Sequence, residues 1–157
     1  MSLSWSLVLL LLGPSRSADQ LIELKADGVT LQVPAAWEKK VEAEGQSFQF
    51  SAPSEDARFE FSVMKVDPLR SPQKCVEELM AVLGKGWELT RAGRKPAARL
   101  KTTETTDKVV VETRSYVGCD GTLKWVMTWA FTQSKEQRFS ALAEKVFESI
   151  RYRGKVP

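Results

Sequence analysis

The sequence predicts an α+β fold, a three-layer α/β/α sandwich with a central, largely antiparallel sheet and two main helices. Short segments of alternating hydrophobicity, separated by turn residues, indicate strands that pair in antiparallel order. Two longer segments repeat apolar residues at helical spacing. The 157 residues are 43% hydrophobic and 27% charged with a net charge of +3, which is typical of one globular domain.

The N-terminal residues predict a secretory signal peptide over 1–17, followed by a single domain over 18–157. An apolar stretch over Leu7–Leu12 ends at a Gly-Pro pair, and a small residue stands at the expected cleavage position, Ser17. The stretch is much shorter than the ~20 residues that span a bilayer. We therefore expect no stable membrane span after cleavage and a periplasmic or secreted protein. No Lys or Arg precedes the apolar run, so a short anchor or an incorrect start are the alternatives.

Four short segments before residue 67 are candidate strands, and the last three alternate between apolar and polar side chains, as half-buried strands do. Pro34 ends the second segment. Polar turn residues join the third and fourth into a hairpin, whose phenylalanines are placed to pack across the strands. The four segments are Leu21–Leu24, Val29–Val33, Gly45–Ala52 and Arg58–Val66.

A helix is predicted next. Ser71 is a good N-cap, Pro72 is tolerated at the first helical position, and Gly84 is a stop signal. Cys75 lies at the edge of a single apolar face. That face consists of Val76, Leu79, Met80 and Leu83.

Four further strands and a closing helix follow. Leu123–Thr132 is the strongest strand, with large apolar residues on one face and a mixed opposite face that we expect to be partly covered. Apolar residues at helical spacing from Phe139 to Ile150 predict the second helix. Helices on opposite faces of the sheet would complete three layers. The other strands are Trp87–Arg94, Ala97–Thr103 and Val109–Val117.

Three segments resemble PsbP-like and DcrB-like domains. Gly28–Trp37, GVTLQVPAAW, is similar to their opening strand followed by Pro-x-x-Trp, and Gly93–Leu100, GRKPAARL, to their mid-sheet strand entry. Phe139–Tyr152 resembles their closing helix and short final strand. The resemblance spans essentially the whole chain after the signal peptide. It implies an α/β/α sandwich around an antiparallel sheet.

Members of that group are mostly non-enzymatic: extrinsic photosystem subunits, a nuclear-transport GTPase-binding factor, bacterial envelope lipoproteins and secretion chaperones. The resemblance therefore implies binding rather than catalysis, although a fold alone does not specify a partner. This chain lacks the lipidated cysteine of the lipoproteins and has no matching metal-ligand motif, so no metal site is implied.

The absence of histidine from the chain, and of asparagine, removes most enzyme classes. Ser-His-Asp and Cys-His catalysis, histidine-based metal sites and N-linked glycosylation are excluded. Adjacent carboxylates such as Glu55-Asp56 and Glu77-Glu78 do not converge on one substrate, and Gly84-Lys85-Gly86 lacks the rest of a phosphate-binding loop. We therefore expect no catalytic residue, no metal and no cofactor.

The clearest surface signal is basic, between Arg91 and Lys101. A turn at Thr106-Asp107 would place Lys101 opposite Glu112 and Arg99 opposite Arg114. The like-charge pair suits an anionic partner, such as an acidic protein or a lipid headgroup. The alternative is an ordinary solvated surface, and the nearly balanced total charge argues against nucleic acid. The candidate binding residues on these strands are Arg94, Arg99, Lys101, Arg114 and Tyr116.

Two tryptophans and two cysteines leave alternatives open. Trp37 and Trp87 lie at element ends, where each either lines a groove for a peptide or small ligand or seals the edge of the core. Cys75 and Cys119 form no CxxC pair. One interpretation is a disulfide, which an oxidising compartment permits and which would contribute up to ~4 kcal/mol; the other is that both are small buried hydrophobic residues.

The leading hypothesis is a secreted or periplasmic, non-catalytic binding domain, an accessory or chaperone-like protein of the cell envelope. Its partner would be another envelope protein, bound at an exposed sheet edge, at the basic strand pair or near Trp37 and Trp87; strand addition is one mode. The alternative is a small-molecule or lipid carrier with a pocket of at least ~300 Å³ between sheet and helix. An enzyme would require a convergent cluster of carboxylates, lysine or tyrosine with shifted pKa values.

Overall fold

The computed structural model describes residues 20–42 and 46–153, so the predicted signal peptide lies outside the described residues. These residues form ten strands, two α-helices and a short 3-10 helix over Gln133–Lys135, the α+β arrangement that the sequence predicts. The elements in chain order are β1 (Leu21–Ala26), β2 (Val29–Pro34), β3 (Glu38–Glu42), β4 (Ser47–Ser51), β5 (Ala57–Lys65), α1 (Pro72–Leu83), β6 (Glu88–Ala92), β7 (Lys95–Thr106), β8 (Val109–Cys119), β9 (Leu123–Thr132), α2 (Glu136–Glu148) and β10 (Arg151–Tyr152).

The centre of the fold is a seven-stranded sheet in the order β3-β4-β5-β9-β8-β7-β6. Every neighbouring pair in it is antiparallel. Helix α2 and a small sheet of β1, β2 and β10 cover one face, while α1 packs on β7 and β8 from the other. The two helices therefore lie on opposite faces, as predicted for a three-layer sandwich.

The main core lies between the large sheet and α2 and is rich in aromatic side chains. Phe59 stacks on Phe50 with ring centroids 4.5 Å apart and on Trp129 with centroids 4.3 Å apart. Trp125 and Trp129 are fully buried, which confirms the predicted core face of β9. Such pairs stabilise the domain beyond the area they bury, by about 0.5–1.5 kcal/mol each.

The second core, beneath α1, is smaller. Cys75 and Val76 are buried against the sheet, whereas Leu79 and Met80 are only partly buried and Leu83 is 45% exposed. The apolar face predicted for this helix is therefore covered over its N-terminal half alone. The C-terminal half of the same face remains partly or fully exposed to solvent.

Strand β3 was not predicted from the sequence. All five of its residues are exposed and four are charged, so no alternation of hydrophobicity marks it. It forms because β4 offers an open edge, with Lys39 opposite Phe50 and Val41 opposite Phe48. Pairing with a neighbour, rather than local pattern, defines this strand.

The predicted register between β7 and β8 was wrong by two residues, because the turn lies one residue later in the chain than predicted. The turn is at Asp107 and Lys108, whose φ values of 50° and 67° suit a two-residue hairpin. Lys101 is therefore opposite Arg114 and Arg99 is opposite Tyr116. The predicted pairs of Lys101 with Glu112 and of Arg99 with Arg114 do not form as cross-strand neighbours.

No helix within 20–42 and 46–153 is long and apolar enough to cross a membrane. The same residues contain no group of three His, Cys, Asp or Glu side chains arranged to hold a metal ion.

Candidate functional site

Four of the predicted binding residues converge on one cleft beside α2. Arg99 and Lys101 from β7 alternate with a single residue between them, and their cross-strand neighbours on β8 are Tyr116 and Arg114. All four side chains line a cavity of about 430 Å³, which we call the charged cleft. Period-two alternation along both strands brings them to the same face of the sheet.

A buried carboxylate lies at the base of the charged cleft. Glu112 is 0% exposed, with Oε1 2.6 Å from Arg114 Nε and Oε2 3.2 Å from Lys101 Nζ. A buried charge requires such partners, because desolvation without them costs several kcal/mol. Sequence reasoning treated Glu112 only as a cross-strand neighbour and missed its burial.

Helix α2 and strand β6 supply three more carboxylates. Lys101 Nζ lies 2.9 Å from Glu136 Oε1, and the Tyr116 hydroxyl donates to Glu144 Oε1 at 2.8 Å. Arg99 donates to both oxygens of Glu88, at 3.0 and 3.3 Å. The three cations of the cleft thus face four carboxylates of the same chain. An incoming anion would have to displace these internal partners.

The pKa shifts of Lys101, Arg99 and Glu136 favour the charged form of each group. Hydrogen bonds to Glu136 and Glu112 raise the pKa of Lys101, and the hydrogen bond from Lys101 lowers the pKa of Glu136. Hydrogen bonding with Glu88 raises the pKa of Arg99. Burial, followed by the hydrogen bond to Glu144, raises the pKa of Tyr116. None of these shifts moves a group toward titration near neutral pH, where a general acid or base is most useful.

The other predicted binding residues lie elsewhere. Arg94 is exposed in the turn between β6 and β7, and its carbonyl accepts a hydrogen bond from Arg91. Trp37 is 6% exposed and packs edge-on against Trp129 at 5.6 Å, beside a cavity of about 760 Å³. Trp87 packs against the second core. The structure therefore separates these three residues from the charged cleft.

A second concave surface lies between α1 and the large sheet; the carrier hypothesis predicted a pocket between sheet and helix, but its lining was not identified from the sequence. This surface, the α1 groove, has a volume of about 400 Å³. Val82 at its rim is 84% exposed and the nearby Leu69 is 70% exposed. The apolar residues that line the groove are Met64, Val66, Pro68, Leu79, Val82, Leu83 and Val126.

A disulfide between Cys75 and Cys119 fixes one end of the α1 groove. It joins α1 to β8 with a Cα–Cα distance of 6.1 Å, within the range that an unstrained bridge needs. Both cysteines are buried, at 3% and 0% exposure. The first turn of the helix is thereby held on the sheet, while Val82 and Leu83, two of the exposed residues of the groove, lie on its last turn.

Comparisons with known proteins show the fold alone. No protein-family model matches this sequence, and no curated protein matches it significantly. A crystal structure from Bacteroides thetaiotaomicron aligns with a TM-score of 0.67 and 14% identity over 83% of this chain; the chain spans 47% of that protein.

Two other solved structures match over nearly their whole length. A point mutant of the protein Mog1 aligns with a TM-score of 0.51 and 13% identity, over 87% of this chain and 96% of that one. LpqN of Mycobacterium tuberculosis, described as involved in cell envelope biogenesis, aligns with a TM-score of 0.54 and 13% identity, over 86% and 91%. The fold that the predicted resemblance implied is confirmed, whereas membership of a PsbP-like or DcrB-like family stays a prediction.

Proposed function

We propose that this chain is a non-catalytic binding domain that works outside the cytoplasm and recognises another protein of the cell envelope. The observation that carries the proposal is the α1 groove, where apolar side chains of α1 and β5 lie open to solvent. Exposed apolar side chains gathered in one groove and bordered by polar residues are typical of interaction sites. Charged residues also line this groove, namely Asp67, Arg70, Glu78 and Lys124. Val82, 84% exposed, is the most accessible of these side chains.

The absence of catalysis is proposed from the electrostatics of the charged cleft. This cleft gathers carboxylates, a lysine and a tyrosine, which is the arrangement that an enzyme without histidine would need. The hydrogen bonds between them hold the pKa of Lys101 high and the pKa of Glu136 low. These groups serve as ion pairs between α2 and the sheet rather than as proton donors and acceptors.

The location outside the cytoplasm is proposed from two observations. Disulfides persist in oxidising compartments, and the geometry of Cys75 and Cys119 suits one. LpqN, which shares the fold, is described as involved in cell envelope biogenesis. Both agree with the signal peptide that the sequence predicts over 1–17.

The proposal is tested by placing a photo-crosslinking amino acid at position 82 and expressing the full chain in its native cells. A matched control carries the same amino acid at Val41, a valine that is 51% exposed on β3, far along the sheet from α1. We expect a discrete crosslinked protein from position 82 and none from position 41. The substitution Val82→Glu should abolish co-purification of that protein, whereas Val41→Glu should not. Equal crosslinking from both positions would contradict the proposal.

A second candidate function is a carrier of small apolar molecules, because the α1 groove, at about 400 Å³, exceeds the ~300 Å³ that such ligands need. Carrier function predicts that an apolar fluorescent dye binds the isolated protein with one-to-one stoichiometry and that Val82→Glu weakens it. It also predicts that solvent extraction of the purified protein releases a bound molecule. Dye binding that survives Val82→Glu, or an empty extract, would favour the protein-binding function.

A further inference from the structure

The second half of β7 has a free outer edge. Strand β7 runs from Lys95 to Thr106, but β6 pairs with only its first five residues, ending where Glu88 lies opposite Arg99. In the described part of the chain no strand lies outside residues 100–106. Seven residues of strand thus expose backbone donors and acceptors along one side, and such a row is a template for another strand.

This edge lacks the protection that the opposite end of the sheet carries. Strand β3 is short and four of its five residues are charged, which is how natural edge strands avoid pairing. Residues 100–106 read LKTTETT, with only two charges and four β-branched threonines that favour extended structure. All residues from 101 to 106 are exposed.

Lys101, the one lysine of this edge, does not protect it against pairing with another strand. Lys101 Nζ lies 3.2 Å from Glu112 and 2.9 Å from Glu136, so the side chain is held over the face of the sheet beside α2. Hydrogen bonds to these two carboxylates raise the pKa of Lys101, so its charged ammonium stays paired with them. A strand that approaches in the plane of the sheet therefore meets little repulsion from this residue.

The sequence of the edge is complementary to itself. In an antiparallel pair of two copies that uses all of residues 100–106, the midpoint is Thr103, which lies opposite its own counterpart. Lys101 is then opposite Thr105, and Thr102 is opposite Glu104, so no like charges oppose each other. A pair centred on Glu104 would oppose two carboxylates and shorten the contact to five residues. A shorter antiparallel pair that uses only residues 101–105 keeps the same register, because its midpoint is also Thr103.

We propose that two copies of this chain associate through their β7 edges, antiparallel about Thr103, and join their seven-stranded sheets into one. The contact consists mainly of backbone hydrogen bonds and is small, so we expect a weak, concentration-dependent dimer. This association does not involve the α1 groove, which lies on a sheet face rather than at this edge.

The test measures self-association of the full domain by sedimentation velocity, up to about 1 mM because small interfaces are weak. The wild type should shift from monomer to dimer as concentration rises. Thr103→Lys places two lysines opposite each other and should raise the dissociation constant by about two- to fivefold. Val41→Lys adds the same charge to the exposed edge strand β3 and should leave the dissociation constant unchanged. Val82→Glu should also leave it unchanged, which separates this proposal from the proposed function.

A covalent readout fixes the register. Residues directly opposite in an antiparallel pair bring their Cα atoms about 4.5–5.5 Å apart, within reach of a disulfide. Thr103→Cys should therefore give a disulfide-linked homodimer under mild oxidation, and Val41→Cys should not. A wild type that stays monomeric at every concentration would overturn the proposal. So would equal crosslinking from both cysteines, or crosslinking of Thr103→Cys to a different protein with no homodimer.

Discussion

Replacing Glu112 by glutamine should destabilise the domain by about 2–3 kcal/mol. Removing one partner of a buried ion pair costs roughly 3–5 kcal/mol, because it leaves a buried charge without compensation. Glu112 is 0% exposed and its partner Arg114 is 17% exposed, so this pair is largely buried. Lys101 is 49% exposed, so losing its ion pair with Glu112 should cost about 1 kcal/mol or less. Glu136 and Glu144 remain 3.6 and 3.8 Å from Arg114 and offset part of the loss. The expected cost of Glu112→Gln is therefore at or below the lower end of the range of about 3–5 kcal/mol.

Urea unfolding of the wild type and variant measures this difference. With a slope of about 2 kcal/mol per molar urea, the midpoint should fall by roughly 1–1.5 M. The matched control is Glu104→Gln on exposed β7, which should change the free energy of unfolding by less than about 0.5 kcal/mol. A Glu112→Gln midpoint as close to wild type as that of the control would refute the view that this carboxylate is a buried ion-pair centre. In Glu112→Gln, adding Arg114→Gln should recover part of the lost stability, since the unpaired cation is then gone.

Three other predictions concern the core and the charged network. Thiol titration of the denatured, unreduced protein should detect no free thiol, and two free thiols would show that the Cys75–Cys119 bridge is absent. Reduction of the bridge should lower the free energy of unfolding by up to about 4 kcal/mol. Gly118→Ala should cost at least about 1–3 kcal/mol in thermal or urea unfolding, because a Cβ there would overlap the ring of Trp125; an unchanged midpoint would mean that the ring has room to move. Pairing with Lys101 lowers the pKa of Glu136 below 4.5, so the stability that this pairing contributes is present above pH 4.5 and is lost as pH falls through the lowered pKa. Glu136→Gln should therefore reduce the fall in the free energy of unfolding at acid pH, and an unchanged fall would contradict this.

Elements whose pattern reports burial could be predicted from the sequence. Strand β9 alternates large apolar residues with smaller or polar ones, and the structure buries Trp125, Met127 and Trp129 on one face. The hairpin of β4 and β5 was predicted for the same reason, and Phe50 and Phe59 pack across it. Side-chain alternation is a local signal that survives without knowledge of the partner strand.

Features that depend on distant residues could not be predicted. The hydrophobic pattern fixes which face a side chain occupies, so the β7–β8 register error left Arg99, Lys101 and Arg114 on the correct face while misnaming their neighbours. Lys101, the partner of Glu112, also binds Glu136 of α2, which comes more than twenty residues after Glu112 in the chain. The α1 groove exists because α1 covers only part of the sheet face, and a helical periodicity does not reveal how much of a helix is covered.

Crosslinking from position 82 in native cells tests the central claim most directly, because it asks whether the exposed apolar groove holds a protein partner. The account predicts one discrete protein of the cell envelope, captured from position 82 but not from position 41, and lost from co-purification with Val82→Glu. The claim would be contradicted if position 82 captured nothing, or captured the same proteins as position 41, while the protein was folded and present outside the cytoplasm.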